Sequence, residues 1–391
     1  MFRQIAFAAL LATAATATDA GAFTISGDKG GSIRAEVLES FDSPWAMTWL
    51  PDGRGLVTEK GGTLWLIGAD GKKIGTISGL PPISARGQGG LGDVILHPDH
   101  ATNGMIYLSY VERHPDDAAF SGAVVDRARL VLTGTGGRLE GRARIWDQVP
   151  KVTGNGHYGH RLAFSPDGYL FITSGERQKF TPSQDMAANL GKVVRLTADG
   201  AVPPDNPFAA QGGVTAQIWS LGHRNPLGID FDARGQLWVH EMGPRHGDEL
   251  NLVLPRGNYG YPEVSQGDNY SGVPIPDHET APQFDNPALY WVPAISPAGF
   301  TIYDGDLFAG WKGNGLLGGL SSRALVRVQF ADRPADTFGI TPKPGGMETM
   351  ATEAERYEWG KRVREVEQGA DGSVYVLEDQ SGGRLLRLTP G

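Results

Sequence analysis

The chain has no cysteine in 391 residues. Thiolate nucleophiles and disulfide staples are therefore excluded, and a fold of this size must be stabilised by its core, by sheet closure or by metal. An excess of cations is also missing: 35 Lys and Arg against 44 Asp and Glu leave a net charge of −9, which argues against nucleic acid as a partner. Long apolar runs are absent, the longest falling short of the roughly 20 residues that span a bilayer. Sustained helical periods are scarce, because 56 Gly and 26 Pro break the chain into short pieces. Residues 185–193 and 350–364 are the best helix candidates. The rest reads as β structure.

What is present begins with a leader. Residues 1–22 read as a secretory signal: Arg3 supplies the positive start, an alanine-rich apolar run follows, and Ala20-Gly21-Ala22 offers small residues for cleavage, with Ala15-Thr16-Ala17 an earlier alternative. Residues 23–391 would then form a single domain in the periplasm or outside the cell, with no membrane span.

A loose unit recurs along that domain. An Asp/Gly turn precedes a short alternating strand at Asp52, Asp99, Asp167, Asp232, Asp304 and Asp371, at spacings of 47 to 72 residues. Units of roughly 60 residues suit a blade of four antiparallel strands, and radial repetition leaves only short sheet edges exposed. The expected fold is all-β, a six-bladed β-propeller closed by pairing residues 32–41 with the C-terminal strands. A sandwich or barrel does not explain six copies.

Chemistry is sought where the repeat is broken. Arg86-Gly87-Gln88-Gly89-Gly90 sets one amide among glycines; a plain hairpin is the other reading. His157 and His160 offer a general base, a zinc pair or structural hydrogen bonds, and zinc is disfavoured without a third ligand nearby. Arg224-Asn225 precedes a proline and presents a fork and an amide, for a carboxylate or for loop carbonyls. Arg362 and Arg364 share one side of an extended strand, facing either an anion or solvent. Glu241 to Tyr259, rich in acids and free carbonyls, suits a hard cation or a solvated surface turn.

Taken together, GQGGLGD at Gly87, HYGHRLAFSPDGYLF at His157, IWSLGHRNPLGI at Ile218, EMGPRHGDELNLVLPRGNYGYP at Glu241, NYSG at Asn269 and RVREVEQGADGSVYVL at Arg362 resemble the soluble PQQ-dependent aldose sugar dehydrogenases, the glucose/sorbosone dehydrogenase family. The resemblance implies a six-bladed propeller that oxidises aldoses to lactones with pyrroloquinoline quinone (PQQ) and calcium, passing electrons to an external acceptor. It implies His157 as general base and Arg224 as the stabiliser of developing negative charge. Gln88, Arg224, Asn225, Tyr270, Arg362 and Arg364 would hold PQQ. The carbonyls of Gly243 and Pro244 would bind the active-site calcium, and Glu249 and Tyr259 a second, structural one.

Two positions depart from the family pattern. Ser321 stands where a cofactor-binding lysine is usual, so that contact is lost unless Arg323 reaches back, and His160 replaces a small residue between the base and Arg161. A second imidazole there would narrow the pocket or shift the pKa of its neighbour. Two other functions fit a propeller: a calcium-dependent lactonase or esterase, and a non-catalytic module that binds a sugar or a protein. Hydrolases of that kind generally coordinate a channel calcium through side-chain Asp, Asn and Glu, whereas the matched calcium site here is mostly backbone; the missing lysine is the best support for the non-catalytic reading.

Overall fold

The computed structural model describes residues 21–331 and 350–391. The expected leader lies outside the described residues, apart from Gly21 and Ala22. Strands dominate, and among the described residues no helix is long and apolar enough to cross a membrane.

Three sheets are four-stranded and antiparallel, with a nine-stranded and a five-stranded sheet beside them. The nine-stranded sheet is two antiparallel units joined by a short parallel contact, Gly137 with Ile77 and Arg138 with Ser78. The join exists because the hairpin of Phe120–Thr133 and Gly136–Asp147 overhangs its neighbour. The five-stranded sheet pairs Ser32–Asp42 with Ser381–Pro390, the expected N-to-C closure, and adds Ala22–Ser26 at its edge.

Six strands lead these units: Pro44–Trp49, Leu91–Leu96, Gly159–Phe164, Pro226–Phe231, Pro297–Ile302 and Val363–Gln368. Each packs beside the next, and the last returns to the first, giving a propeller-like ring. Every one carries a register shift near its start, a bulge that increases the local twist. Side chains staple the ring together. Thr58 Oγ1 donates to Gly92 O (2.7 Å), and Thr173 Oγ1 to Pro226 O (3.0 Å). The Asp93 carboxylate accepts from Leu162 N (2.8 Å), and that of Asp230 from Ile302 N (2.7 Å). Each such buried bond contributes about 1 kcal/mol.

Apolar clusters fill the gaps between neighbouring units, as where Leu56, Leu64 and Leu66 meet Leu91, Val94 and Leu108. The Asp/Gly turns join each leading strand to its partner; Asp52, Asp232 and Asp371 accept hydrogen bonds from backbone N–H groups two residues on.

Both expected helices are absent. Residues 185–193 form a tight loop that enters the strand Lys192–Leu196, turned by Gly191 at φ +68°. Its apolar Ala188 and Leu190 are buried by that fold-back rather than along a helix face. Residues 350–364 contain the strand Ala351–Glu358, paired with Ala324–Phe330, and the start of the leading strand Val363–Gln368. Pairing on the sheet overrides a weak helical pattern there.

Candidate active site

A cavity of about 440 Å³ opens where the leading strands begin and their partners end. Its wall follows the repeat. Ser43, Asn225, Ser296 and Arg362 each precede a leading strand; Trp45, His160, Leu227 and Arg364 are second residues of one; Lys60, Met242, Leu320 and Asp379 each follow a partner strand. Gln88, Tyr158 and Gln380 also line it. Of the expected cofactor residues, Gln88, Asn225, Arg362 and Arg364 share this wall. Arg224 and Tyr270 lie outside it, with Tyr270 74% exposed and its ring 6.0 Å from the Arg224 guanidinium.

Arg362, just before its strand, and Arg364, at the bulge between Val363 and Glu365, project together, and both bind Asp379, through Nε bonds of 2.8 and 3.0 Å. One carboxylate therefore serves two guanidinium groups. Lys60 adds a further cation, and its Nζ donates to Gly87 O (2.5 Å). The wall is suited to a polyanion.

His157 is not part of the cavity wall. Its N–H donates to Gln88 Oε1 (2.7 Å), so the amide expected to face the cofactor also positions the histidine backbone. The imidazole Nδ1 is bound by Glu176, which lies just beyond the partner strand Leu170–Ser174. Nε2 has no hydrogen-bond partner among the described residues. Burial lowers the His157 pKa, Glu176 pulls it back, and Arg224 adds to the lowering. Burial opposes ionisation of Glu176, but the bonds from His157 and the loop N–H groups outweigh it and leave its pKa below the ordinary value. The result is a neutral imidazole whose Nδ1–H faces a carboxylate and whose Nε2 is free to accept a proton.

His160 takes a different role. It is 1% exposed, its ring stacks on Trp45 at 5.0 Å and 10°, and Nδ1 meets Ser109 Oγ at 2.8 Å. Burial pulls its pKa down to about 3, so it brings no charge to His157. Gly92 makes the space: a Cβ there would collide with the His160 ring. Gly92→Ala is expected to cost about 1–3 kcal/mol in urea unfolding. Combined with His160→Gly, which also suits the left-handed φ of +61°, the losses should be less than additive.

Arg224 is 6% exposed and donates to Met242 O (2.9 Å) and Gly243 O (2.5 Å). Its Nε and the Asn225 Oδ1 are buried without protein partners. The Glu241 carboxylate accepts from Arg224 N (2.5 Å) and bonds His223 Nδ1 (2.8 Å), fixing this loop from below. Gly243 O thus has one lone pair engaged, and Pro244 follows it directly.

Glu249 lies in Asp248–Leu252, the third strand of its sheet, buried, with its nearest amide donor, Asn251 Nδ2, at 3.4 Å. Burial and the neighbouring Glu241 push its pKa well up, and Asn251 Oδ1 is orphaned beside it. Tyr259 instead stacks on His223 at 4.8 Å and donates its O–H to Leu252 O (2.6 Å). Glu249 and Tyr259 share no hydrogen bond among the described residues.

Ser321 is exposed and donates to Ala294 O (3.1 Å), while Arg323 is absent from the cavity wall. Arg323 therefore does not reach back. Sequence reasoning passed over Lys60, Glu176 and Asp379. Applying the repeat would have found them, since each lies one or two residues beyond a partner strand.

Fold and site define a propeller-like protein with a cationic pocket and a carboxylate-held histidine at its edge. Residues 41–387 match the family model described as Glucose / Sorbosone dehydrogenase. The chain is 36% identical to the Aldose sugar dehydrogenase YliI of Escherichia coli (strain K12) over 365 residues, covering 92% of this chain and 93% of that protein. Its fold matches the crystal structure of the apo-form of the soluble aldose sugar dehydrogenase from Escherichia coli with a TM-score of 0.83, over 92% and 100% of the two chains, at 36% identity. It also matches the PQQ-bound aldose sugar dehydrogenase from Streptomyces coelicolor with a TM-score of 0.69, over 91% and 98%, at 26% identity. The chain belongs to the glucose/sorbosone dehydrogenase family.

Proposed function

We propose that this protein is an exported, PQQ- and calcium-dependent aldose dehydrogenase on a single six-bladed propeller of residues 23–391, yielding lactones and an external electron acceptor's reduced form. The closed order of the six leading strands supports the blade number. The reading is carried by a polyanion-binding wall set beside a neutral, carboxylate-oriented histidine.

The residues fit the cofactor. Arg224 Nε and Asn225 Oδ1 are buried polar atoms without protein partners, as a site completed by a ligand requires. The backbone of Gly243 and Pro244 offers hard oxygen to calcium, and Glu249 with Asn251 Oδ1 offers a second oxygen position, where a cation would offset the burial and the Glu241 charge that raise the Glu249 pKa. Tyr259 fits that second position less well, its phenol being committed to Leu252.

When bound, PQQ supplies the two-electron acceptor. The chain supplies the rest. His157 Nε2 takes the proton of the anomeric hydroxyl, and Glu176 holds Nδ1–H and stabilises the imidazolium that forms. Arg224 places a buried positive charge where negative charge develops. Arg362, Arg364 and Asp379 orient the anionic ligand. Because the His157 pKa lies below 6.5, kcat/KM with saturating PQQ should be flat from pH 7 upward and fall only below about 6.5. An acid limb centred above pH 7 would contradict this base.

A calcium-dependent lactonase would need converging Asp, Asn and Glu ligands; among the described residues no group of three or more His, Asp or Glu side chains is placed to hold a metal ion, and the arginine pair suits an anionic cofactor better. The non-catalytic reading would favour a pocket filled by side chains; this one is open. Purified protein given PQQ and calcium should bind the cofactor and reduce a dye with at least one aldose. No uptake, and no dye reduction across a panel of aldoses, would remove the proposal.

A further inference from the structure

The cavity wall carries three cations, Lys60, Arg362 and Arg364, against the single carboxylate of Asp379. The arginines are held by that carboxylate. Lys60 meets no carboxylate among the described residues, and one of its three N–H donors is used, on Gly87 O. Its position is built rather than incidental. Lys60 N donates to Ser43 O (3.0 Å), and Lys60 O accepts from Leu91 N (3.1 Å). The stem lies over Gly90, where a Cβ would come within 2.6 Å of Lys60 Cγ. Gly90 therefore clears a path for this side chain into the cavity.

Lys60 follows the partner strand Gly55–Glu59 as Leu320 follows Gly315–Gly319. The sheet carrying Arg362 and Arg364 packs between these two units in the ring. A cation at Ser321 would thus flank the arginine pair on one side, and Lys60 flanks it on the other.

We propose that Lys60 is a binding residue for a carboxylate of the anionic cofactor, replacing from the Gln88 side the cation that Ser321 does not supply. The inference rests on the cofactor reading given above. It assigns the ligand's negative edge to the wall shared by Lys60, Gln88 and the arginine pair, and it leaves the Leu320 side uncharged.

The test is equilibrium binding of PQQ to the calcium-loaded full chain, followed by tryptophan fluorescence, with no turnover involved. Lys60→Gln should raise Kd about tenfold and flatten its dependence on salt, because one screened charge contact is lost. Lys60→Arg should restore affinity to within about threefold. Adding Ser321→Lys to Lys60→Gln should recover part of the loss from the other flank. An unchanged Kd and salt slope in Lys60→Gln, alongside weakened binding in Arg364→Gln, would overturn the role of Lys60 and leave the cofactor reading standing. A wild-type chain that takes up no PQQ would overturn both. Should Lys60→Gln fail to fold, Lys60→Met, matched in length, provides the same comparison.

Discussion

His157→Ala should lower kcat by about a thousandfold or more while PQQ affinity changes little, since a positioned general base contributes 10²–10⁴-fold. The separation follows from the structure. The imidazole stands apart from the cavity wall, and its contact with that wall runs through its own backbone N–H, which alanine keeps. Alanine also retains Gln88 in place. His157 has φ +48°, a left-handed value that alanine tolerates poorly, so His157→Asn is the companion variant. Both should bind PQQ and both should be slow. Glu176→Gln separates orientation from charge: it keeps an acceptor for Nδ1–H but removes the stabiliser of the imidazolium, so kcat falls with KM nearly constant. Its acid limb moves to lower pH, because Glu176 is what holds the His157 pKa up against burial. Wild-type turnover in His157→Ala would remove His157 as the base.

Arg161→Met should destabilise the fold by about 3 kcal/mol or more, the usual cost of removing one partner from a buried ion pair. Arg161 is 4% exposed, pairs with Glu365, lies 3.5 Å from Asp93 and donates to Leu227 O (3.0 Å). Its guanidinium also stands 4.0 Å from the Trp45 ring. One side chain thus ties together five units of the ring beneath the pocket. Burial already pushes Glu365 up to about 7 and Asp93 upward, with Arg161 opposing both shifts. Carboxyls with raised folded pKa values stabilise the fold below their unfolded pKa and lose that contribution as pH rises through the folded value. Without Arg161 their ionisation becomes costlier still, so the deficit should be larger at pH 8 than at pH 5. Urea unfolding at the two pH values measures it. A loss below about 1 kcal/mol, or an equal loss at both, would contradict this account.

These two residues also show what could be read from the chain. The ring was legible because Asp52, Asp167, Asp232 and Asp371 mark turns by their own local hydrogen bonds, a property that needs no distant partner. The arginine pair was legible because its spacing of two residues is local too. Arg161, by contrast, acquires its meaning from Glu365, 204 positions away. Glu176 and Lys60 are ordinary charged residues until sheet pairing brings their turns to the same face. His160 looked like an equal partner of His157, yet Gly92 and Trp45, both remote in sequence, make it a neutral packing element. The two expected helices failed for a related reason: their apolar spacing was local, while the contacts that claimed those residues, a loop at 185–191 that buries Ala188 and Leu190 and a sheet neighbour for 351–358, were not.

The most direct test is a single-turnover spectrum. Protein loaded with calcium and a stoichiometric amount of PQQ is mixed with excess aldose in the absence of any electron acceptor. The account predicts complete conversion of bound PQQ to its reduced absorption spectrum in wild type, and the oxidised spectrum persisting about a thousandfold longer in His157→Ala. Bound PQQ that remains oxidised in the wild-type protein with every aldose would contradict it.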